Sequence, residues 1–206
     1  MTQSQWTELA LVEIQKQGGS PITFGGLTDT IDVDIGDRAI ETTALINGGK
    51  VVKYTPMDDT TITLEMFPVG ATAVSATPTG LTEWFFGDEG GTAHAGGGTY
   101  WTNKLVRYEF RVVLLWTSIQ ATGGMSGVLP SDALASGDHL RMSFWGCYFT
   151  SNKFSYTDDM MTSPVNFVCP GYDKGGNGQI AIEEADSATL PAMDNFTTSN
   201  TLPSWS

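Results

Sequence analysis

The stretch Asp173-Lys-Gly-Gly-Asn-Gly-Gln-Ile-Ala-Ile-Glu-Glu184 comes nearest, by residue type and spacing, to a chemical site. Laid on a calcium-binding loop of about twelve residues, Asp173 takes the first position, Asn177 the fifth, Gly178 the sharp turn, Ile180 the eighth and Glu184 the last. Those are places where oxygens converge on a hard cation. Gly175 stands where a second side-chain oxygen belongs, Lys174 adds positive charge, and no amphipathic helix flanks the stretch. Asp, Asn and Gly are also the residues a tight turn selects. The stretch therefore reads as a turn leading into a final strand, and no metal ligand is assigned.

Other chemistry is sparser. Of the two histidines, His94 lies in a Gly-rich run and His139 at the start of an expected strand, positions that suit a solvated or capping ring. Gly124-Met-Ser-Gly127 approaches a nucleophile elbow, but Val128 replaces the closing glycine. Gly96-Gly-Gly98 neither follows an expected strand nor opens a helix, as a dinucleotide fingerprint must. Cys147 and Cys169 sit among apolar residues and read as two buried thiols. Asp29, Asp32 and Asp34 read as an ordinary solvated face unless symmetry repeats it. No catalytic, cofactor-binding or metal-ligating residue is assigned, and neither enzyme activity nor a cofactor is expected.

The elements that must position these residues are β-rich. The chain has 206 residues, 24 Gly and 27 Thr, and Thr favours pleated strands as Gly favours turns. Ten basic against 23 acidic residues give a formal net charge of −13, which argues against a nucleic-acid grip. At 40% hydrophobic and 16% charged, the chain is no disordered polyanion. The apolar run Val112 to Trp116 is too short to span a bilayer, and Met1-Thr-Gln-Ser-Gln5 lacks the features of a secretory leader.

Gln5 to Gln17 is open between helix and strand. In Thr30 to Ile35, Ile31, Val33 and Ile35 alternate with Thr30, Asp32 and Asp34, as on a half-buried strand. Ala39–Ile46 and Lys50–Tyr54 flank Asn47-Gly48-Gly49, a strong hairpin signal. Thr61–Met66 alternates again. Leu81, Trp84 and Phe85 have the spacing of a short amphipathic helix within Thr79–Phe86, and Gly87–Gly98 reads as a loop. A long strand is expected over Leu105–Thr117, apolar on one face throughout, with Arg107, Glu109 and Arg111 opposite. Val113 and Leu115 make its end apolar on both faces, so another layer or subunit should cover it. Gln120–Asp138 reads as a connection, and His139–Phe149 as a strand with Leu140, Met142, Phe144 and Tyr148 opposite Arg141, Ser143 and Cys147. Val165–Cys169 and Gln179–Glu183 are shorter strands. One β-rich domain over 1–186 and a Ser/Thr-rich extended tail over 187–206 are expected.

The order of these pieces resembles the tail tube protein (major tail protein) of long, non-contractile-tailed phages and archaeal tailed viruses. The resemblance runs from about Leu27 to Glu184. It is carried by the acidic strand, Ile40-Glu-Thr-Thr-Ala-Leu-Ile-Asn-Gly-Gly-Lys-Val-Val-Lys-Tyr-Thr-Pro56 and Thr61-Ile-Thr-Leu-Glu-Met-Phe-Pro68. Further on come Trp84-Phe-Phe-Gly87, Arg107-Tyr-Glu-Phe-Arg-Val-Val-Leu-Leu-Trp-Thr117, Leu140-Arg-Met-Ser-Phe144 and Phe167-Val-Cys-Pro-Gly-Tyr-Asp-Lys-Gly-Gly-Asn-Gly178. The Gly90–Gly98 insertion and the tail from Ser187 have no counterpart in it.

The resemblance implies a mainly β protomer, a β-sandwich or barrel-like tail tube fold with one short helix and a long hairpin. It implies hexameric rings stacked into a hollow tube that delivers viral DNA, located in the virion tail after synthesis in the host cytoplasm. The implied partners are ring neighbours, stacked rings and other tail proteins at the tube ends. Viral DNA passes through the lumen without specific binding, and no membrane insertion is implied. The acidic strand then suggests a negative lumen. The alternatives are another virion structural protein such as a capsid decoration or tail terminator, or the related tube of a secretion machine; a calcium-dependent secreted or surface β-module; and, last, a hydrolase with a dispersed carboxylate pair.

Overall fold

Alternating apolar side chains form strands because a period of two puts them on one face of a pleated sheet. The computed structural model describes residues 9–24, 27–66, 81–117, 129–153, 155–157 and 160–196. In chain order the elements begin with β1 (Leu9–Lys16), β2 (Pro21–Phe24), β3 (Leu27–Asp34), β4 (Ile40–Ala44), β5 (Lys50–Tyr54) and β6 (Thr60–Met66). The helix α1 (Leu81–Phe86) follows, then β7 (Thr92–Ala93), β8 (Thr99–Tyr100), β9 (Phe110–Thr117) and β10 (Leu134–Asn152). The last are β11 (Ser155–Thr157), β12 (Met160–Cys169) and β13 (Ile180–Leu190). The protein is mainly β, and the open choice at Gln5–Gln17 resolves as the strand β1.

Nine strands are hydrogen-bonded in the order β2-β1-β9-β10-β12-β6-β3, with β13 on β10 and β11 on β12. The long β10 belongs to two layers. From His139 to Phe144 it lies between β9 and β13, and from Tyr148 to Asn152 it pairs with β12. The change falls at Gly146, whose φ is 61° and where the register shifts between Phe144 and Cys147. A bulge residue adds one position to one strand and bends it. The β2-β1-β9-β10-β13 layer thereby folds over the β10-β12-β6-β3 layer as a sandwich. Val12, Ile14, Val112, Leu114 and Phe144 meet Ile62, Leu64, Val165 and Phe167 in one buried core. The helix α1 adds Trp84, 5.5 Å from Phe110, and Phe85, 5.1 Å from Phe149, measured between ring centroids.

The bulge corrects the expected facing of β10. Leu140, Met142 and Phe144 face the core as expected, but the extra residue reverses the alternation. Cys147 and Phe149 then point inward and Tyr148 outward. Other boundaries also move. The strand expected from Leu105 starts at Phe110, because its neighbour β1 ends at Lys16, opposite Phe110. Beyond one more bond, from Gln17 N–H to the Glu109 carbonyl, residues 105–108 have no described strand beside them, and Leu105 is 99% exposed. The expected loop Gly87–Gly98 carries the two-stranded hairpin β7–β8. The connection expected to last until Asp138 ends at Leu134, so His139 lies inside β10.

The cover expected over the end of β9 comes from the chain's own C-terminal part. Val113 packs with Trp145, Met193 and Phe196, and Leu115 with Leu134, Ala185 and Leu190. The expected division at 186 and 187 falls inside β13. Residues 191–196 then cross the outer face of the first layer as a strap. The side chain of Arg141 in β10 donates to the Pro191 carbonyl at 2.8 Å, and that of Arg111 in β9 donates to the Asp194 carbonyl at 2.5 Å. Finally the Phe196 N–H donates to Gln15 of β1 at 3.2 Å.

Beneath the strap lie two buried ion pairs. Arg111 donates to Glu13 at 3.0 Å, with side chains 1% and 0% exposed. Arg141 grips Glu183 through two bonds of 2.6 Å each. The second Glu13 oxygen accepts the Ser131 N–H at 2.9 Å. Burial lowers the Arg111 pKa from its ordinary value, and Glu13 opposes that shift. Removing one member strands a buried charge. Arg111→Ala should therefore cost about 3–5 kcal/mol in urea unfolding, while the double change Glu13→Leu/Arg111→Met should recover most of the loss.

Candidate assembly interface

Ile40, Val51, Val52 and Tyr54 are residues a chain ordinarily buries, yet here they are not buried. The β4–β5 hairpin forms its own two-stranded sheet, and all ten of its strand residues are exposed. Its turn is built as the Asn-Gly signal suggests. The Gly48 N–H donates to the Leu45 carbonyl at 3.0 Å, the Gly49 N–H donates to Asn47 Oδ1 at 3.0 Å, and Gly48 takes φ 81°. Pairing is Ile40 with Tyr54, Glu41 with Lys53 and Thr42 with Val52. One face thus carries Ile40, Tyr54 and Val52, and the other the Glu41–Lys53 ion pair. Ile46 at the tip is fully exposed. An isolated hairpin is at best marginally stable in water, and a contiguous exposed apolar patch is a feature that marks interaction sites.

Open strand edges accompany it. Within the described residues, β2 pairs only with β1, and β3 only with β6. The outward face of the second layer is polar. Asp32, Thr63 and Asn166 form one cross-strand row, and Asp34, Thr61 and Val168 the next. Asp32 and Asp34 are exposed as expected, and β3, β6 and β12 contain no Lys or Arg. On the inward side of the same strands, Ile31 and Val33 pack against the core.

The insertion after α1 is firmly built. Asp88 accepts the Thr102 N–H at 2.8 Å and the Thr102 hydroxyl at 3.1 Å, and the buried Glu83 accepts the Gly90 N–H at 2.8 Å. The Lys104 N–H donates to the Phe86 carbonyl at 2.8 Å. These bonds hold Tyr100, Leu105 and Val106 out in solvent.

The residues singled out for chemistry have structural partners. Asp173 closes a turn, accepting the N–H groups of Gly175 and Asn177 at 2.8 and 2.7 Å and the Asn177 side-chain amide at 2.9 Å. Tyr172 and Gly178 bridge the turn's base, and β13 follows as the expected final strand. His139, expected to be solvated or capping, is fully buried. Its Nε2–H donates to the Ala135 carbonyl at 2.8 Å, and Nδ1 is hydrogen-bonded to the Thr117 hydroxyl at 3.0 Å. His94 sits in the β7–β8 hairpin, its ring 4.8 Å from Tyr100. Cys147 and Cys169 are buried free thiols. Burial, and then the neighbouring Cys169, push the Cys147 thiol well up. Gly124–Val128 lies outside the described residues. Sequence reasoning missed the buried Glu13–Arg111 and Arg141–Glu183 pairs and the exposed ledge at 100–107.

No family model matches the sequence, and no curated protein matches it. Among solved structures, the chain is similar to a chain of the sheath–tube complex of an extracellular contractile injection system (PVC) in its extended state. Identity is 10% and the TM-score 0.48, over 84% of this chain and 88% of that one. It is similar also to a chain of the six-fold symmetrised anti-feeding prophage (AFP) baseplate, at 10% identity and TM-score 0.48, over 93% and 98% of the two chains. For Hcp1 from Flavobacterium johnsoniae the values are 15% and 0.33, over 85% and 98%. These likenesses are remote, and no residue's role is carried over from them.

Hydrogen bonds from Asn177 and Gly175 hold the Asp173 carboxyl below the usual carboxylate range. A depressed folded-state pKa contributes stability above the unfolded pKa, and that contribution is lost as pH falls through the folded value. An NMR titration should accordingly show Asp173 protonating at lower pH than an aspartate in a peptide of the same sequence. Adding calcium should leave the melting temperature unchanged, because Asp173 is engaged by its own turn.

Proposed function

We propose that this chain is a self-assembling structural subunit of a viral tail tube. Its copies form rings, six-membered by the sequence resemblance, that stack into the hollow tail of a long, non-contractile-tailed virus and pass its DNA. The observation that carries the reading is the β4–β5 hairpin, a two-stranded sheet whose Ile40, Val52 and Tyr54 have no cover from the rest of the described chain. Such a hairpin is completed by packing on another copy. The open edges of β2 and β3 are the kind of edge that a neighbour's strand closes.

A contact between different faces of identical subunits is heterologous, and it generates a ring when the rotation closes or a filament when it does not. Stacked rings repeat that logic along an axis. The outward face of β3, β6 and β12 suits the wall of a bore. Duplex DNA carries about one negative charge per 1.7 Å of axis. A wall bearing Asp32 and Asp34 among Thr and Asn side chains, with no basic residue on those strands, repels it weakly all round. The net charge of −13 acts in the same direction. A capsid decoration or tail terminator is the nearest alternative, and it would form single rings or monomers instead of extended tubes.

Negative-stain imaging and sedimentation of the purified chain test the reading. Rings or hollow tubes are expected, and a chain that stays monomeric at all accessible concentrations would sink it. Replacing residues 40–54 by a short Gly-Ser link should abolish assembly. The same change should shift the melting temperature by less than about 2 °C, the equivalent of under about 1 kcal/mol for a chain of this size. Tubes of Asp32→Lys/Asp34→Lys should retain duplex DNA in a salt-dependent way, and wild-type tubes should not.

A further inference from the structure

The segment Tyr100 to Arg107 leaves its apolar residues in water although hydrogen bonds hold its backbone. Leu105 is 99% exposed and Val106 48%. Lys104 and Arg107 flank them. Arg107 donates only to backbone carbonyls, those of Lys104 at 3.0 Å and Val106 at 3.1 Å, and no described carboxylate lies within ion-pair distance of it. Lys104 is 3.6 Å from Asp88 and still about half exposed. The result is a fixed ledge with an apolar centre and basic ends, on a chain whose net charge is −13.

The root of the β4–β5 hairpin has the opposite pattern. Ile40 and Tyr54 are cross-strand partners, 60% and 76% exposed. Asp37 and Asp58 lie side by side beyond that pair, with Asp59 next to them, and Arg38, between Asp37 and Ile40, donates to the Tyr172 hydroxyl at 3.2 Å. All three acids are exposed, and no described ion pair uses them. The turn that carries them is rigid, with the Asp58 N–H bonded to the Asp37 carbonyl at 3.0 Å and Gly36 packed against Asp58. The root thus sets an apolar pair beside acids, and the ledge sets an apolar pair beside bases.

We infer that the 100–107 ledge of one copy receives the hairpin root of a second copy, Leu105 and Val106 against Ile40 and Tyr54, with Lys104 and Arg107 facing Asp37 and Asp58. The inference rests on the tube reading for its choice of a second copy as the occupant. It makes the contact heterologous, since ledge and root are different surfaces of one chain, and such contacts continue from copy to copy. The charged ends set orientation and partner choice, because like charges facing one another across such a contact repel.

Charge reversal on the full-length chain tests it. Lys104→Glu/Arg107→Glu and Asp37→Lys/Asp58→Lys should each raise the concentration needed for assembly by about tenfold or more, read by sedimentation velocity, with wild-type circular dichroism and melting. The chain carrying all four reversals should assemble near the wild-type concentration. In a second measurement, the Ile40→Cys/Leu105→Cys chain, assembled and treated with a diffusible thiol oxidant, should give a ladder of cross-linked copies on a non-reducing gel, and neither single cysteine variant should. Folded reversal variants that assemble like wild type, or an absent ladder, overturn the inference and leave the tube reading standing. A wild-type chain that never assembles overturns both. Ledge variants that assemble normally but lose a different partner would show that the ledge serves that partner, and would equally overturn it.

Discussion

Two charge pairs, Glu13–Arg111 and Arg141–Glu183, sit on the outer face of the first layer where an apolar cover alone would have sufficed. Their four residues come from β1, β9, β10 and β13, so every strand of that layer except the edge strand β2 contributes one. A buried pair is weak evidence for net stability, because desolvation offsets most of the attraction. Its effect on register is stronger. A slip of one residue in any of these strands would turn a full charge into the apolar core between the layers. The same arginines bond the carbonyls of Pro191 and Asp194, and so dictate where the strap crosses. Strand register and strap position are thereby one constraint.

That constraint explains how the molecule divides its apolar residues. The strap takes the outer face of the first layer out of contact with solvent. The most exposed apolar side chains, Ile46, Leu105, Tyr54 and Ile40, lie on the hairpin and on the 100–107 ledge. The outward face of the second layer stays polar. The described faces of the molecule therefore differ in character: one covered by the strap, one polar, and a hairpin and ledge that expose apolar side chains.

The sequence displays some of this directly. Alternation placed Ile31, Val33, Ile62 and Leu64 on the inner face, Asn47-Gly48 marked the hairpin, and the spacing of Leu81, Trp84 and Phe85 marked α1. Other features depend on residues distant in the chain. Arg111 looks like a solvent-facing residue until Glu13, 98 positions away, is placed beside it. Val106 and Tyr108 continue the apolar periodicity of β9, but a strand needs a neighbour and β1 has already ended. Gly146 hides a change of facing because a glycine contributes nothing to an alternation pattern. The apolar residues of β4 and β5 are those of an interior strand. Their exposure follows from the hairpin's forming a separate two-stranded sheet, which alternation within one strand does not reveal.

The membership of β10 in both layers has a mechanical consequence. Tension on β12 reaches β9 and β13 through the main chain itself, and Gly146 is the corner where the force changes direction. The layers cannot slide over one another without shearing ladders on both flanks of that strand at once. Under tension the sandwich should respond as one stiff body, with any give confined to the β4–β5 hairpin, which pairs with no other described strand.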